Sequence, residues 1–163
     1  MMGTRAARYR FVFVAANPIG ESTTLNTENH VPTSDAYTFY LPDNAASVIG
    51  GNYPAVPVYT LTAVGDNPAL LKIKNVTRDE EIVYNPILLN THVLEVDVEN
   101  FTVQLDGVDA IAGADSGPFP KLTNGVRNEM LLTNGDNTTL ATTYRDRYIG
   151  CLLYTSPSPR DRS

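Results

Sequence analysis

The chain has 163 residues, 42% hydrophobic and 18% charged, with one Cys, no Trp and a formal charge of −6. Domains run to about 100–200 residues, so one ordinary globular domain is expected, and neither disorder as the main state nor a disulfide scaffold fits. No apolar run approaches the roughly 20 residues a membrane helix needs, and the start Met-Met-Gly-Thr-Arg lacks the apolar stretch of a secretory signal. The 12 Lys and Arg are scattered rather than gathered into the basic patch that nucleic acid requires. A soluble chain is expected, with no membrane insertion and no nucleic-acid partner.

Arg8 to Ala16 reads as a first strand, with Tyr9, Phe11 and Phe13 on one parity and Arg8 and Arg10 on the other. Asn17-Pro18-Ile19-Gly20 stops it. Residues 20–36 are polar and without period, which predicts a long loop or linker between a largely missing upstream domain and the one retained. Tyr37 to Leu41 and Ala46 to Ile49 are the next strand candidates, separated by Pro42-Asp43-Asn44. Val56 to Val64 is rich in β-branched residues and closes at Gly65-Asp66-Asn67-Pro68, a strong turn signal.

Leu71 and Ile73 then alternate with Lys72 and Lys74, and Ile82 to Tyr84 and Ile87 to Leu89 flank Asn85-Pro86, where proline implies an edge or a bend. A hairpin follows. Leu94, Val96 and Val98 face one way, as do Phe101, Val103 and Leu105, which leaves Glu99-Asn100 as a two-residue connection. A second hairpin pairs Val126 to Thr133 with Thr138 to Ile149 across Asn134-Gly135-Asp136-Asn137. Its closing strand puts Leu140, Tyr144 and Tyr148 on one parity and Arg145 and Arg147 on the other. Short alternating runs, turn residues every 8 to 12 positions and abundant Thr (18) and Asn (14) predict an all-β fold, a two-layer antiparallel β-sandwich of jelly-roll-like form.

The chemistry that side chains could supply is sparse. His30 and His92 are the two histidines, and neither has a Cys or second His at ligand spacing, so no zinc site is expected. No Gly-x-Ser-x-Gly elbow occurs, and Ser22, Ser34, Ser47 and Ser116 sit in loop-like contexts. Asp79, Glu80 and Glu81, or Glu95 with Asp97, could in principle form a carboxylate pair, but their positions read as a solvated face. Asp106-Gly107-Val108-Asp109 and Asp136-Asn137 read as turns rather than calcium loops. Asn75-Val76-Thr77, Asn100-Phe101-Thr102 and Asn137-Thr138-Thr139 fit the glycosylation tripeptide, as chance permits in a chain this rich in Asn and Thr. No catalytic, cofactor-binding or metal-binding residue is assigned, no cofactor is expected, and the chain is expected not to be an enzyme. Sugar binding stands as the alternative, because β-sandwiches often carry it; the shared parity of Tyr9, Tyr144 and Tyr148 with core positions favours packing instead.

Residues 151–163 stand apart. Cys151-Leu152-Leu153-Tyr154-Thr155-Ser156-Pro157-Ser158-Pro159-Arg160-Asp161 resembles the translation of a transposase sequencing adapter, so this stretch is expected not to be native and is left out of fold reasoning. Without it the charge goes from −6 to −7 and the Cys disappears. A gene assembled from bulk environmental or viral DNA is then expected, with its true ends undetermined.

Asn52-Tyr53-Pro54-Ala55-Val56-Pro57-Val58-Tyr59-Thr60-Leu61-Thr62, with Gly65-Asp66-Asn67-Pro68 and the apolar strand to Val76 behind it, resembles the opening of the carboxyl-terminal domain of distal tail and minor tail proteins of long-tailed bacteriophages. The resemblance continues through Leu94-Glu95-Val96-Asp97, Thr102-Val103-Gln104-Leu105-Asp106-Gly107 and Phe119-Pro120-Lys121-Leu122-Thr123-Asn124-Gly125-Val126-Arg127-Asn128, and closes on the strand from Ala141 to Ile149. Arg8 to Pro18 resembles the last strand of the tail-ring domain that precedes it in that family. Gly117-Pro118-Phe119 and Asn124-Gly125 depart from the family pattern, which often has an aromatic residue and Pro-Gly there.

The resemblance implies a structural virion component at the tail tip, joining tail tube to host-recognition apparatus. It further implies a homo-oligomeric ring in the full-length protein, and tail tube, tape-measure or hub, and receptor-binding proteins as partners. Assembly would take place in the bacterial host cytoplasm. On this basis residues 1–19 are the remnant of an upstream ring domain or a leading strand, 20–36 a linker, 37–150 the sandwich and 151–163 the adapter scar. The alternative function is a carbohydrate-binding module acting in host-surface adhesion.

Overall fold

The computed structural model describes residues 19–115 and 117–149. The expected strand Arg8 to Ala16, the stretch 151–163 and Ser116 lie outside the described residues. Among the described residues twelve strands, numbered in chain order, form three antiparallel sheets. The four-stranded sheet runs from edge to edge as β3 (Ala36–Leu41), β10 (Asn128–Thr133), β5 (Leu71–Asn75) and β6 (Glu80–Tyr84). The six-stranded sheet runs β2 (Asn26–His30), β11 (Thr138–Tyr144), β4 (Val58–Ala63), β7 (Val93–Asp97), β8 (Thr102–Leu105) and β9 (Val108–Asp109). Outside both, β1 (Ile19–Glu21) pairs with β12 (Arg147–Ile149). A 3-10 turn covers Ile111–Gly113.

The layers form because the strands alternate. β4 buries Tyr59, Leu61 and Ala63, β5 Leu71 and Ile73, β7 Leu94 and Val96, β10 Met130 and Leu132, and β11 Leu140 and Tyr144, all in one cluster between the sheets. Full burial of such side chains stabilises the fold by about 1.5–3 kcal/mol each relative to exposure. The all-β sandwich expected from the alternation is therefore what the chain forms. Successive strands change sheet, β2 to β3 to β4 to β5, and β10 to β11, so β3, β4, β10 and β11 lie beside partners distant in sequence, while β5–β6 and β7–β8 are hairpins.

Six local expectations are corrected. The hairpin expected between Val126 to Thr133 and Thr138 to Ile149 does not form, because β10 and β11 enter different sheets, β10 between β3 and β5 and β11 between β2 and β4. The loop expected over 20–36 contains β1 and β2. Periodicity missed β2 because its inward residues, Asn26, Glu28 and His30, are polar; pairing with β11 makes it a strand, and Glu28 finds partners in the Tyr144 hydroxyl at 2.8 Å and the Asp43 N–H at 2.6 Å. Ala46 to Ile49 is not a strand. Ile49 is instead buried as a plug, its N–H donating to the Val126 carbonyl and its carbonyl accepting from Gly125. Ile87 to Leu89 forms no strand either, only a bridge between Leu88 and Asn67.

The β7–β8 connection spans Val98 to Phe101, not two residues, and Phe101 takes φ = 55°, which turns its ring out to 59% exposure. The expected closing strand breaks at Arg145-Asp146 into β11 and β12. The break reverses the parity, so Arg147 turns in and Tyr148 turns out.

Candidate functional site

Val58 lies opposite both Asp97 and Thr143, and Tyr144 opposite Asn26, so the β2, β11, β4 and β7 termini meet at one end of the sandwich. The β1–β12 ribbon is tied to this same end by Asp146, whose carbonyl accepts from Ser22 N–H (2.8 Å) and whose carboxylate accepts from Gly50 N–H (3.0 Å). Gly51, at φ = 83°, passes so close to the Arg147 backbone that a Cβ would collide with its carbonyl. Asn52 and Tyr53 both donate their N–H groups to that carbonyl.

The two roomier clefts of this end differ in character. The first, about 350 Å³, is lined by Tyr53, Pro54, Val98, Phe101, Arg78 and Arg147 among others. Its two arginines meet carboxylates. Arg147 is 8% exposed and faces Glu21 at 3.2 Å and Glu99 at 3.3 Å, with its guanidinium 5.9 Å from the Tyr53 ring centre. Arg78 pairs with Glu80 at 3.0 Å. Burial pushes the Glu80 carboxyl up, but Arg78 and the Lys121 N–H outweigh it and hold the group below the usual carboxylate range. Phe101 packs edge-on against Phe119 at 5.5 Å.

The second cleft, about 450 Å³, is lined by Asn26, Glu28, Asp43, Asn44, Tyr144 and Asp146 among others. Burial and the bond to Glu28 push the Tyr144 hydroxyl far above its ordinary range, so it stays a proton donor. Tyr59, fully buried, donates to the Pro120 carbonyl at 2.9 Å and is likewise held protonated by burial and by Glu80.

Buried amides fix the loops around the first cleft. Asn75 and Asn128 are 0% exposed. Asn75 Nδ2 donates to the Lys121 carbonyl (2.6 Å) and to Asn128 Oδ1 (3.0 Å). Asn128 Oδ1 also accepts from Thr123 N–H (2.8 Å), and its Nδ2 donates to the Thr123 carbonyl (2.9 Å). At the opposite end Asn67 does similar work, binding the Gly65 and Asn137 carbonyls and accepting from Asn137 N–H. Sequence patterning does not reveal these amides, because Asn is abundant and usually marks turns.

The residues weighed for catalysis are not brought together. His30 is 7% exposed, its ring 4.5 Å from Phe39, and burial lowers its pKa against the opposing pull of Asp43 and Glu28. His92 Nδ1 lies 3.5 Å from Asp106 Oδ2, a half-exposed carboxylate, and neither histidine lines either cleft. Ser22 Oγ accepts from Thr24 N–H, Ser34 Oγ donates to the Ala36 carbonyl, and Ser47 lines the second cleft. Asp79 and Glu81 pair with Lys74, and Glu81 also with Lys72. Glu95 faces outward on β7, while Asp97, Asp106 and Asp109 accept backbone N–H groups at turns, as their turn chemistry predicts. Among the described residues no three His, Cys, Asp or Glu side chains gather so as to hold a metal ion.

Of the tyrosines, Tyr59, Tyr84 and Tyr144 are in the core, Tyr40 and Tyr148 are exposed, and Tyr37 and Tyr53 are half-buried. Tyr9 lies outside the described residues.

No curated protein and no solved structure matches the chain. The family model of the siphovirus-type tail component, C-terminal domain, matches residues 50–148. That span takes in β4 to β11 and most of β12; the three strands before it, β1 to β3, complete the same sheets. With more than half its length matched, the chain belongs to the siphovirus-type tail component family.

Proposed function

We propose that this chain is a tail-tip protein of the distal or minor tail type, joining the tail tube to the host-recognition apparatus. Family membership makes it a structural part of a phage virion that contacts other tail proteins. The finer placement is supported by the β1–β12 ribbon: Ile19 pairs with Ile149, so the sandwich hangs as a self-contained knob from one junction. In this reading residues 1–19 are the remnant of an upstream domain that forms a homo-oligomeric ring, with tail tube, tape-measure or hub, and receptor-binding proteins as neighbours. Assembly takes place in the host cytoplasm, and residues 151–163 are not native. The strand orders β2-β11-β4-β7 and β3-β10-β5-β6 support a jelly-roll plan, with the β8–β9 hairpin appended at one edge.

The work is mechanical rather than catalytic, and the pairing of Arg78 with Glu80 and of Arg147 with Glu21 and Glu99 supports that. Gold-labelled antibody against the sandwich, applied to particles carrying the gene, is expected to mark the distal end of the tail. Labelling along the whole tube, or none, refutes the placement. A second reading, sugar binding, is favoured by Tyr53 and the exposed Phe101 lining the first cleft. It requires that Phe101→Ala weaken glycan binding at least tenfold; no binding by the parent chain on a glycan array removes it.

A further inference from the structure

The β1–β12 ribbon is held unlike the core strands. Those bury apolar side chains between the sheets, whereas four of the ribbon's six residues are exposed, Ile19 is half-buried, and the one buried residue is Arg147. The ribbon stands outside both main sheets, and two strands by themselves are marginal in water. Hydrogen bonds and charges tie it to the sandwich. The Arg147 carbonyl accepts from Asn52 and Tyr53 N–H, the Asp146 carboxylate from Gly50 N–H, and Asn52 Oδ1 from Ile149 N–H at 2.7 Å. The Arg147 guanidinium faces two partly exposed carboxylates, Glu21 of the ribbon at 3.2 Å and Glu99 of the β7–β8 connection at 3.3 Å. Its Nε, though near Glu21, makes no aligned hydrogen bond. Among the described residues clefts border this group: Glu99 and Val56 line both the first cleft and a smaller one of about 120 Å³ that also takes in Glu21 and Arg145. Other bonds hold the ribbon to its own base. Ser22 N–H donates to the Asp146 carbonyl, and Arg145 Nη1 to the Ser22 and Thr23 carbonyls.

We infer that the ribbon is a releasable strap: it leaves the sandwich as one unit while both sheets stay folded, and the Glu21–Arg147–Glu99 group is its clasp. A buried guanidinium is tolerated while carboxylates face it, and losing one of them leaves charge uncompensated where water reaches poorly. Opening returns all three charges to water at little loss of apolar burial, because no ribbon side chain belongs to the core cluster. Segments with few buried apolar contacts open well before the global fold does. Release frees residues 19–25 and 145–149 as far as the ends of β2 and β11, and takes the Ile19 and Arg147 wall off the first cleft beside Tyr53 and Val98. The clasp therefore governs both how firmly the sandwich is aimed and how wide that cleft stands. The inference goes beyond the tail-tip reading and stands without it.

Amide hydrogen exchange of the full chain, read residue by residue by NMR, tests it. Gly50, Asn52, Tyr53 and Ile149, whose N–H groups make the ties, are expected to share one protection factor about a hundredfold or more below that of the β4 amides. Glu99→Gln, at an exposed position, keeps the side chain's shape but weakens the clasp, and is expected to speed all four about tenfold with β4 unchanged. Glu95→Gln removes the same charge from an outward-facing site on β7 and is expected to leave all four as in the parent. Protection retained in β4 shows that each variant is folded. Rates that climb residue by residue toward Ile149 mean fraying of an end rather than release of a unit, and overturn the inference. So do ties as protected as β4, a Glu99→Gln variant indistinguishable from Glu95→Gln, or one that speeds β4 in step with the ties.

Discussion

Replacing Asn128 by Ala removes a fully buried amide that makes three close bonds: from Asn75 Nδ2 and Thr123 N–H to its oxygen, and from its nitrogen to the Thr123 carbonyl. Asn75 keeps a partner in the Lys121 carbonyl at 2.6 Å, so two backbone groups of Thr123 are orphaned. At about 1–3 kcal/mol for each unsatisfied buried group, and with the truncated site able to admit a water, the expected loss is about 3 kcal/mol. For a domain of this size that lowers the melting temperature by about 6–12 °C. Urea unfolding of the parent, Asn75→Ala, Asn128→Ala and the double variant measures the loss and the coupling between the two amides, expected at about 1 kcal/mol. Amide exchange should also rise first in residues 121–127, which these bonds fasten. A loss under about 1 kcal/mol for Asn128→Ala, or two additive single variants, refutes the view that this amide pair holds the loop beside the first cleft.

Leu61→Ala, at a fully buried position on β4, is expected to cost about 2–5 kcal/mol in the same assay, and an effect under about 1 kcal/mol contradicts the shared core. Gly51→Ala forces a Cβ onto the Arg147 carbonyl at a left-handed φ; it is expected to destabilise by more than about 1 kcal/mol and to expose the Asn52 and Tyr53 amides, which unchanged exchange there disproves. His30 has its folded pKa depressed below 6.5, so the unfolded chain takes the proton first. Stability is therefore full above about pH 6.5 and declines as the pH falls below it. His30→Leu should flatten that decline between urea midpoints measured at pH 7 and pH 5; an identical slope in the variant removes His30 as its source.

Strands whose inward positions are apolar were legible. Leu71 with Ile73, Leu94 with Val96, and Leu140 with Tyr144 alternate in sequence and bury in that phase. What escaped was structure held by polar groups. β2 reads Asn-Thr-Glu-Asn-His, and its strand character comes from pairing with β11 and from Tyr144 meeting Glu28, neither of which leaves a hydropathy signal. Arg147 falls on the parity expected of a solvated residue. It is buried because Arg145-Asp146 breaks the strand to bind Ser22, Thr23 and Gly50, and the chain re-enters extended structure in the opposite phase, which alternation cannot register. Phe101 was placed inward on the same logic, which a left-handed backbone angle in the turn defeats. The first cleft is invisible for a related reason. Its walls come from Tyr53, Phe101, Arg78 and Arg147, far apart in sequence, and they meet once the β1–β12 ribbon closes the end.

The pairing of Ile19 with Ile149 and Glu21 with Arg147 also decides how the knob yields to force. Tension applied before Ile19 and after Ile149 pulls at adjacent ends of one ribbon, so its hydrogen bonds load one after another rather than all at once. The ribbon peels open like a zip at modest force, lengthening the tether while the layered strands behind it carry no load.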